Sequence, residues 1–245
     1  MRVAVISDVH GNLPALHAVA SDWGTVDAVW NLGDLVGYGP DPNECVAFVR
    51  EFPHQISIIG NHDLAALGEI DISEFNLVAA SAAIWTQKAL GAEATNYLRS
   101  LSPSTTIGDV TMVHGSLRDP VWEYLLDAEA ANATIRLMTT ATCLVGHSHI
   151  PLTFGGERNK HLEVRHLVDG ERLTLERNRI IINPGSVGQP RDNDPRASYG
   201  ILDGSDAVPS SFTLHRVAYP VEETQRRMIV ANLPFSLAER LAFGR

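Results

Sequence analysis

Six short apolar runs, each closing on a cluster of Gly, Asp, Asn, Ser or His, constrain the fold of this chain more than any other feature. They are "RVAVISDVHGN" (2–12), "AVWNLGD" (28–34), "QISIIGNHD" (55–63), "DVTMVHGS" (109–116), "ATCLVGHSH" (141–149) and "RIIINPGSVG" (179–188). Each is apolar at consecutive rather than alternate positions, as expected of strands covered on both faces. Helical patterns lie between them. Residues 13–23 follow Asn12 as N-cap, carry Pro14 in the first turn and place Leu13, Leu16, Ala20 and Trp23 at helical spacing. Asp41-Pro42 opens a second helix through Cys45, Phe48 and Val49. Residues 74–101 predict one or two helices leaning over the strand ends, and Asp119-Pro120 starts a helical stretch to about Met138.

Beyond His149 the pattern changes. Pro151 is expected to stop regular pairing, residues 162–176 read as strands around an Asp169-Gly170 turn, and 198–203 and 210–219 are further strands. Two C-terminal helices break at Pro234. The expected fold is α/β, a four-layer α/β/β/α sandwich of two packed mixed sheets flanked by helices. With no Ser/Pro linker and no fixed-period repeat, residues 1–245 are read as one domain.

Charge and cysteine content narrow the function. Lys and Arg total 19 against 29 Asp and Glu, a net charge of −10, with Lys88 and Lys160 the sole lysines. No basic stripe exists to track a polyanion, so extended nucleic-acid binding is not expected. The apolar run at the N-terminus is too short for a signal peptide, and no segment is long enough to span a membrane. Cys45 and Cys143 lack any metal-binding spacing and read as buried thiols in a reducing compartment, which points to the cytoplasm.

Ligands in α/β sheets collect at the carboxyl ends of strands. There the chain places Asp8 and His10, Asp34, Asn61 and His62, His114, and His147 and His149. Taken singly, each has a plain reading as a helix cap, a turn or a hydrogen-bonded histidine. Together they gather five of the ten histidines with two aspartates and an asparagine. Mixed imidazole and carboxylate donors suit divalent Mn, Fe, Ni, Co or Zn. The set is too large for one tetrahedral site and fits two ions about 3.5–4 Å apart sharing a carboxylate. Two such ions against two aspartates leave a locally positive pocket, so an acidic protein can still take a phosphate ester.

D8-V-H10, G33-D34, G60-N61-H62-D63, H114 and G146-H147-S148-H149 resemble, in order and spacing, the motifs of the calcineurin-like metallophosphoesterases. "GDLVGYGPDPNEC" (33–45) and "NPGSVGQPRD" (183–192) are similar to the compact bacterial and archaeal phosphodiesterase branch, and the likeness extends to about residue 203. The resemblance implies that Asp8, His10 and His149 bind one metal and Asn61, His114 and His147 the other, with Asp34 bridging. It implies a catalytic His62, acting on the phosphate or leaving group and oriented by Asp63, and a bridging hydroxide that attacks phosphorus. A dinucleoside-polyphosphate hydrolase, a Ser/Thr protein phosphatase or a non-catalytic scaffold on the same fold are the alternatives. Substrate, metal and oligomeric state stay open, because the ligands fix the chemistry while loops choose the substrate.

Weaker signals surround this set. Arg191 and Tyr38 are candidate substrate contacts. Ser186 lacks the first glycine of a nucleophile elbow and reads as a structural hydroxyl. Off the motifs, His17, His54, His161, His166 and His215 read as surface or core histidines.

Overall fold

The computed structural model describes residues 1–155, 162–175, 178–205 and 208–245. His161 and the last residue of the expected 162–176 strand pair, Glu176, lie outside the described residues. In chain order the elements are β1 (Arg2–Ile6), α1 (Leu13–Asp22), β2 (Ala28–Asn31), α2 (Pro42–Arg50), β3 (Ile56–Ser57) and α3 (Asn61–Leu67). α4 (Leu77–Ala89), α5 (Ala92–Arg99), β4 (Ser104–Ile107), β5 (Val110–Val113), α6 (Ala128–Leu137), β6 (Thr142–Leu144) and β7 (Pro151–Gly155) come next. β8 (Glu163–His166), β9 (Arg172–Thr174), β10 (Ile180–Pro184), β11 (Ala197–Ser205), β12 (Val208–Val217), α7 (Val221–Val230) and α8 (Phe235–Leu241) complete them.

Two six-stranded mixed sheets form, ordered β3-β2-β1-β11-β12-β9 and β4-β5-β6-β10-β7-β8. β1 runs parallel to β2, β2 to β3, β5 to β6 and β6 to β10; every other pairing of these strands is antiparallel. The doubly apolar strands are explained by what covers each face. Val3 and Val5 join Trp30, Met112, Leu144, Ile182 and Phe212 in one core drawn from both sheets. Ala4 and Ile6, on the opposite face of β1, pack with Leu16, Val46 and Leu98 from α1, α2 and α5. Val113, Cys143, Phe154 and Ile181 cover the outer face of the second sheet against Ala131 of α6. Helix, sheet, sheet and helix are the four layers expected.

Local expectations fare unevenly. Asn12 caps α1, its side chain accepting from the Ala15 N–H at 3.2 Å, and 74–101 resolves into α4 and α5. The helix expected from Asp119 instead starts at Asp127, whose carboxylate accepts from the Glu129 and Ala130 N–H groups at 2.9 Å. Upstream, the Ser116 hydroxyl accepts from the Arg118 and Asp119 N–H groups, and this local turn wins over the helix. Pro151 does not stop pairing: it opens β7, opposite Pro184, at the strand position where a missing N–H costs least. The Asp169-Gly170 turn does join strands, but β8 edges the second sheet and β9 the first. β4 was not anticipated. Among the described residues no helix is long and apolar enough to cross a membrane.

Candidate metal centre

The parallel strands of both sheets aim their carboxyl ends at one place. β1 delivers Asp8 and His10, β2 delivers Asp34, β3 leads into Asn61 and His62, β5 into His114, and β6 into His147 and His149. These eight side chains are all buried, none more than 6% exposed. Ligand-donor atoms of Asp8, His10, Asp34 and His149 lie within 4.8 Å of one another, as do those of Asp34, His114 and His147. Asp34 belongs to both groups. Asn61 joins the second, its Oδ1 lying 3.2 Å from His114 Nε2.

The chain bends sharply to place them. Asp8, His10, Asp34, His147 and His149 have φ of 53°, 49°, 54°, 66° and 60°. This left-handed region costs a non-glycine residue about 1–3 kcal/mol, least for Asp and His. The two imidazoles of "GHSH" therefore converge through left-handed turns, not by alternation along an extended strand as the i, i+2 spacing suggested. Backbone bonds hold the turns: the Asp8 N–H donates to Gly33 O at 3.1 Å and the His10 N–H to Asp34 O at 2.9 Å. The loop after β10 clamps Asp8 from the other sheet. Ser186 Oγ donates to Asp8 O at 2.7 Å and the Gly188 N–H to the same oxygen at 3.0 Å. Ser186 is thus a structural hydroxyl, and Gly146 leaves room where any Cβ would meet Ser7 Oγ.

Each of the four histidines placed as a candidate ligand is held by a backbone carbonyl on its far nitrogen. Nδ1 of His10, His114 and His149 lies 3.1, 2.7 and 2.5 Å from the carbonyls of Val36, Leu32 and Gln189. His147 uses Nε2 instead, 3.1 Å from Trp122 O. A carbonyl only accepts, so each of these nitrogens carries a proton, and in the neutral ring the other presents a lone pair inward. Those lone pairs meet further acceptors. His10 Nε2 lies 3.1 Å from His149 Nε2, and Asp8 Oδ1 is 3.3 Å from His149 Nε2. Asp34 Oδ2 is 3.6 Å from His10 Nε2 and 3.3 Å from His114 Nε2. Among the described residues Asp8 Oδ1 and Asp34 Oδ2 are buried with no hydrogen-bond partner, although Asp8 Oδ2 accepts from Ser7 Oγ and Asp34 Oδ1 from the His62 N–H. Acceptors crowded without donors repel unless cations lie among them, and the donor set fits divalent transition ions.

Protonation agrees. Burial lowers the pKa of His10 and His149, and takes His147 down to about 3 with His114 assisting. Against the cost of burial, neighbouring histidines hold Asp8 and Asp34 below the usual carboxylate range. Burial also opposes a charge on His114, but Asp34 outweighs it and raises that imidazole to about 9.

His62 stands beside the cluster, its ring centroid 4.3 Å from Tyr38, 4.7 Å from Phe75 and 4.9 Å from His10. Burial takes its pKa down to about 4. Asp63 makes no hydrogen bond to this ring among the described contacts, contrary to the role expected for it. Its Oδ2 accepts from the Asp34 and Gly60 N–H groups at 2.9 and 3.0 Å, and its Oδ1 from Val36 at 3.0 Å. It fixes the backbone of the Asp34 turn and the start of α3 instead. Arg191 and Tyr38 both lie at the site, Arg191 Nη2 being 3.5 Å from the Tyr38 hydroxyl.

A cleft of about 420 Å³ opens from Asn61, His62 and His147 and is walled by Tyr38, Phe75, Trp122 and Tyr124, with Glu74 at its side. Tyr124 stacks on His147 at 3.8 Å, and Phe75 meets Trp122 edge-on at 5.5 Å. Of this wall, sequence reasoning named Tyr38 and missed Phe75, Trp122 and Tyr124. The interleaved aromatics of "VWEY" (121–124) are the visible signal for Trp122 and Tyr124.

Fold and centre together define a calcineurin-like phosphoesterase. The description of that superfamily's domain matches residues 1–207, and the chain belongs to the superfamily. It resembles the metallophosphoesterase from Sphaerobacter thermophilus, with a TM-score of 0.91 at 48% identity over 100% of this chain and 99% of that one. An uncharacterised protein of Methanocaldococcus jannaschii is 36% identical over 250 residues, covering 99% of this chain and 98% of the relative. A shorter likeness, 39% over 71 residues, joins it to the symmetrical bis(5'-nucleosyl)-tetraphosphatase of Pectobacterium atrosepticum, covering 27% of this chain and 25% of that protein.

Proposed function

We propose that the chain is a dinuclear metal-dependent phosphoesterase that hydrolyses phosphodiester or phosphomonoester bonds. The convergence of buried acceptors on the two orphaned carboxylate oxygens of Asp8 and Asp34 carries this reading. Asp8, His10 and His149 would hold one divalent ion, Asn61, His114 and His147 the other, and Asp34 both. Bound there, Mn, Fe, Ni, Co or Zn supplies Lewis acidity that offsets phosphoryl charge and acidifies water for in-line attack.

The chain's own groups complete the site. His62, neutral in its aromatic surroundings, offers an N–H to a phosphoryl oxygen or to the departing oxygen. Asp63 keeps His62 and Asp34 in register through the backbone. Arg191 adds a guanidinium against the Tyr38 ring, at the edge of the centre. The aromatic cleft would take the leaving group. A cytoplasmic setting fits the two free, buried thiols of Cys45 and Cys143.

Hydrolysis of dinucleoside polyphosphates is the second reading. The aromatic cleft favours it, since bases stack on such walls, and so does the short likeness to the tetraphosphatase. The test is hydrolysis of bis-p-nitrophenyl phosphate with added Mn. Activity should vanish on chelation, and His62→Ala should keep its metal while losing about 10²–10⁴-fold in rate. No turnover of this ester or of a nucleotide panel with any of the five metals would overturn the reading.

A further inference from the structure

The superfamily match ends at residue 207, yet α8 brings a charge to the site from beyond it. Arg240 lays its guanidinium over the Tyr38 ring, with Cζ 4.9 Å from the centroid. Arg191 reaches the same ring from the other sheet's loop, its Cζ 5.9 Å from that centroid. Tyr38 itself packs against His10 and His62. Two cations therefore share one ring at the edge of the metal centre.

Other arginines of this region find carboxylates: Arg216 pairs with Asp192, Arg196 with Asp194, and Arg227 with Asp41 and Glu223. Among the described residues Arg191 and Arg240 pair with none. Arg191 Nε and Arg240 Nε and Nη2 are buried without a hydrogen-bond acceptor among the described residues. Arginine keeps its charge in proteins, and buried donors left unmet are costly. Burial and the nearby Arg191 both work against the Arg240 charge. A lone brace for Tyr38 would not need two cations without a carboxylate. An anion between them satisfies both.

We infer that Arg191 and Arg240 form a subsite for a second phosphoryl group beside the scissile one, so that the favoured substrates are pyrophosphate-linked esters. The inference rests on the phosphoesterase reading for what occupies the neighbouring metal centre. Guanidinium forks suit phosphoryl oxygens, and Glu74 on the cleft side would repel an added phosphate there.

The test is calorimetric binding to the Mn-loaded full chain, with Mn in excess, of methylenediphosphonate against methylphosphonate. Wild type should prefer the diphosphonate, and Arg240→Met and Arg191→Met should each cut that preference about tenfold, the worth of one charge-assisted contact. Arg240→Lys should retain part of it. An unchanged preference in both Met variants, whatever their melting temperatures, would show that the arginines merely brace Tyr38 and would overturn the inference. Turnover of bis-p-nitrophenyl phosphate by the same preparations separates the two claims. An arginine-dependent preference, with no turnover of this ester or of the nucleotide panel under any of the five metals, would uphold the subsite and sink the hydrolase reading.

Discussion

Asp63→Asn separates two roles for a residue that the sequence assigned to His62. If Asp63 oriented the imidazole directly, an isosteric amide would lower turnover and leave the fold intact. The structure gives its carboxylate three buried backbone donors, from Asp34, Gly60 and Val36. An asparagine has one carbonyl oxygen and one NH2. Its better rotamer keeps the oxygen at the Oδ2 position, serving Asp34 and Gly60, and turns the NH2 against the Val36 N–H. One buried donor unmet and facing another costs about 3 kcal/mol. For a chain of this length that lowers the melting temperature by about 6–12 °C. Asp63→Ala, which strips all three acceptors, should fall further or fail to fold. Thermal unfolding followed by circular dichroism, in chelator so that metal does not mask the effect, measures it. An Asn variant melting within about 2 °C of wild type would refute the backbone role and restore the direct one.

Gly146→Ala would push a methyl into Ser7 Oγ and to 3.0 Å from Asp8 Oδ2; displaced Asp8 should weaken Mn binding at least about tenfold in a metal titration. Asn12→Ala removes the cap on Ala15 N–H and the links to Thr224, Gly188 and Tyr219, so denaturant unfolding should show a loss of about 2–4 kcal/mol. Phe75→Ala opens the aromatic wall and should raise KM for aryl phosphodiesters about five- to tenfold while changing kcat less; equal KM values would remove the cleft from substrate binding.

The candidate metal ligands were legible as a cluster because each sits where an apolar run meets a polar cluster, and parallel strands must share a carboxyl end. Continuous hydrophobicity in residues 3–6 and 180–182 likewise announced strands covered on both faces. What stayed hidden was carried by atoms without residue identity. The carbonyls of Leu32, Val36, Trp122 and Gln189 fix the imidazoles, and no side-chain pattern marks them. The left-handed turns at His147 and His149 are tied down by distant groups, the His147 N–H donating to Asp8 Oδ2 and the His149 carbonyl accepting from the Arg191 N–H, so local spacing read them as extended. Asp119-Pro120 carried a helix-start signal that the Ser116 turn overrode. The C-terminal helices gave no motif, yet Arg240 meets Tyr38 across about two hundred residues of chain, a pairing that only tertiary packing creates.

The proposed dinuclear centre is tested most directly by metal content. Wild type and Asp34→Asn, loaded with Mn and freed of excess, are compared by elemental analysis of ions per chain. A shared carboxylate predicts about two ions in wild type and less than about one in the variant, because both positions lose the same ligand. Wild type holding no ion, or an Asp34→Asn chain that still holds two, would contradict the account.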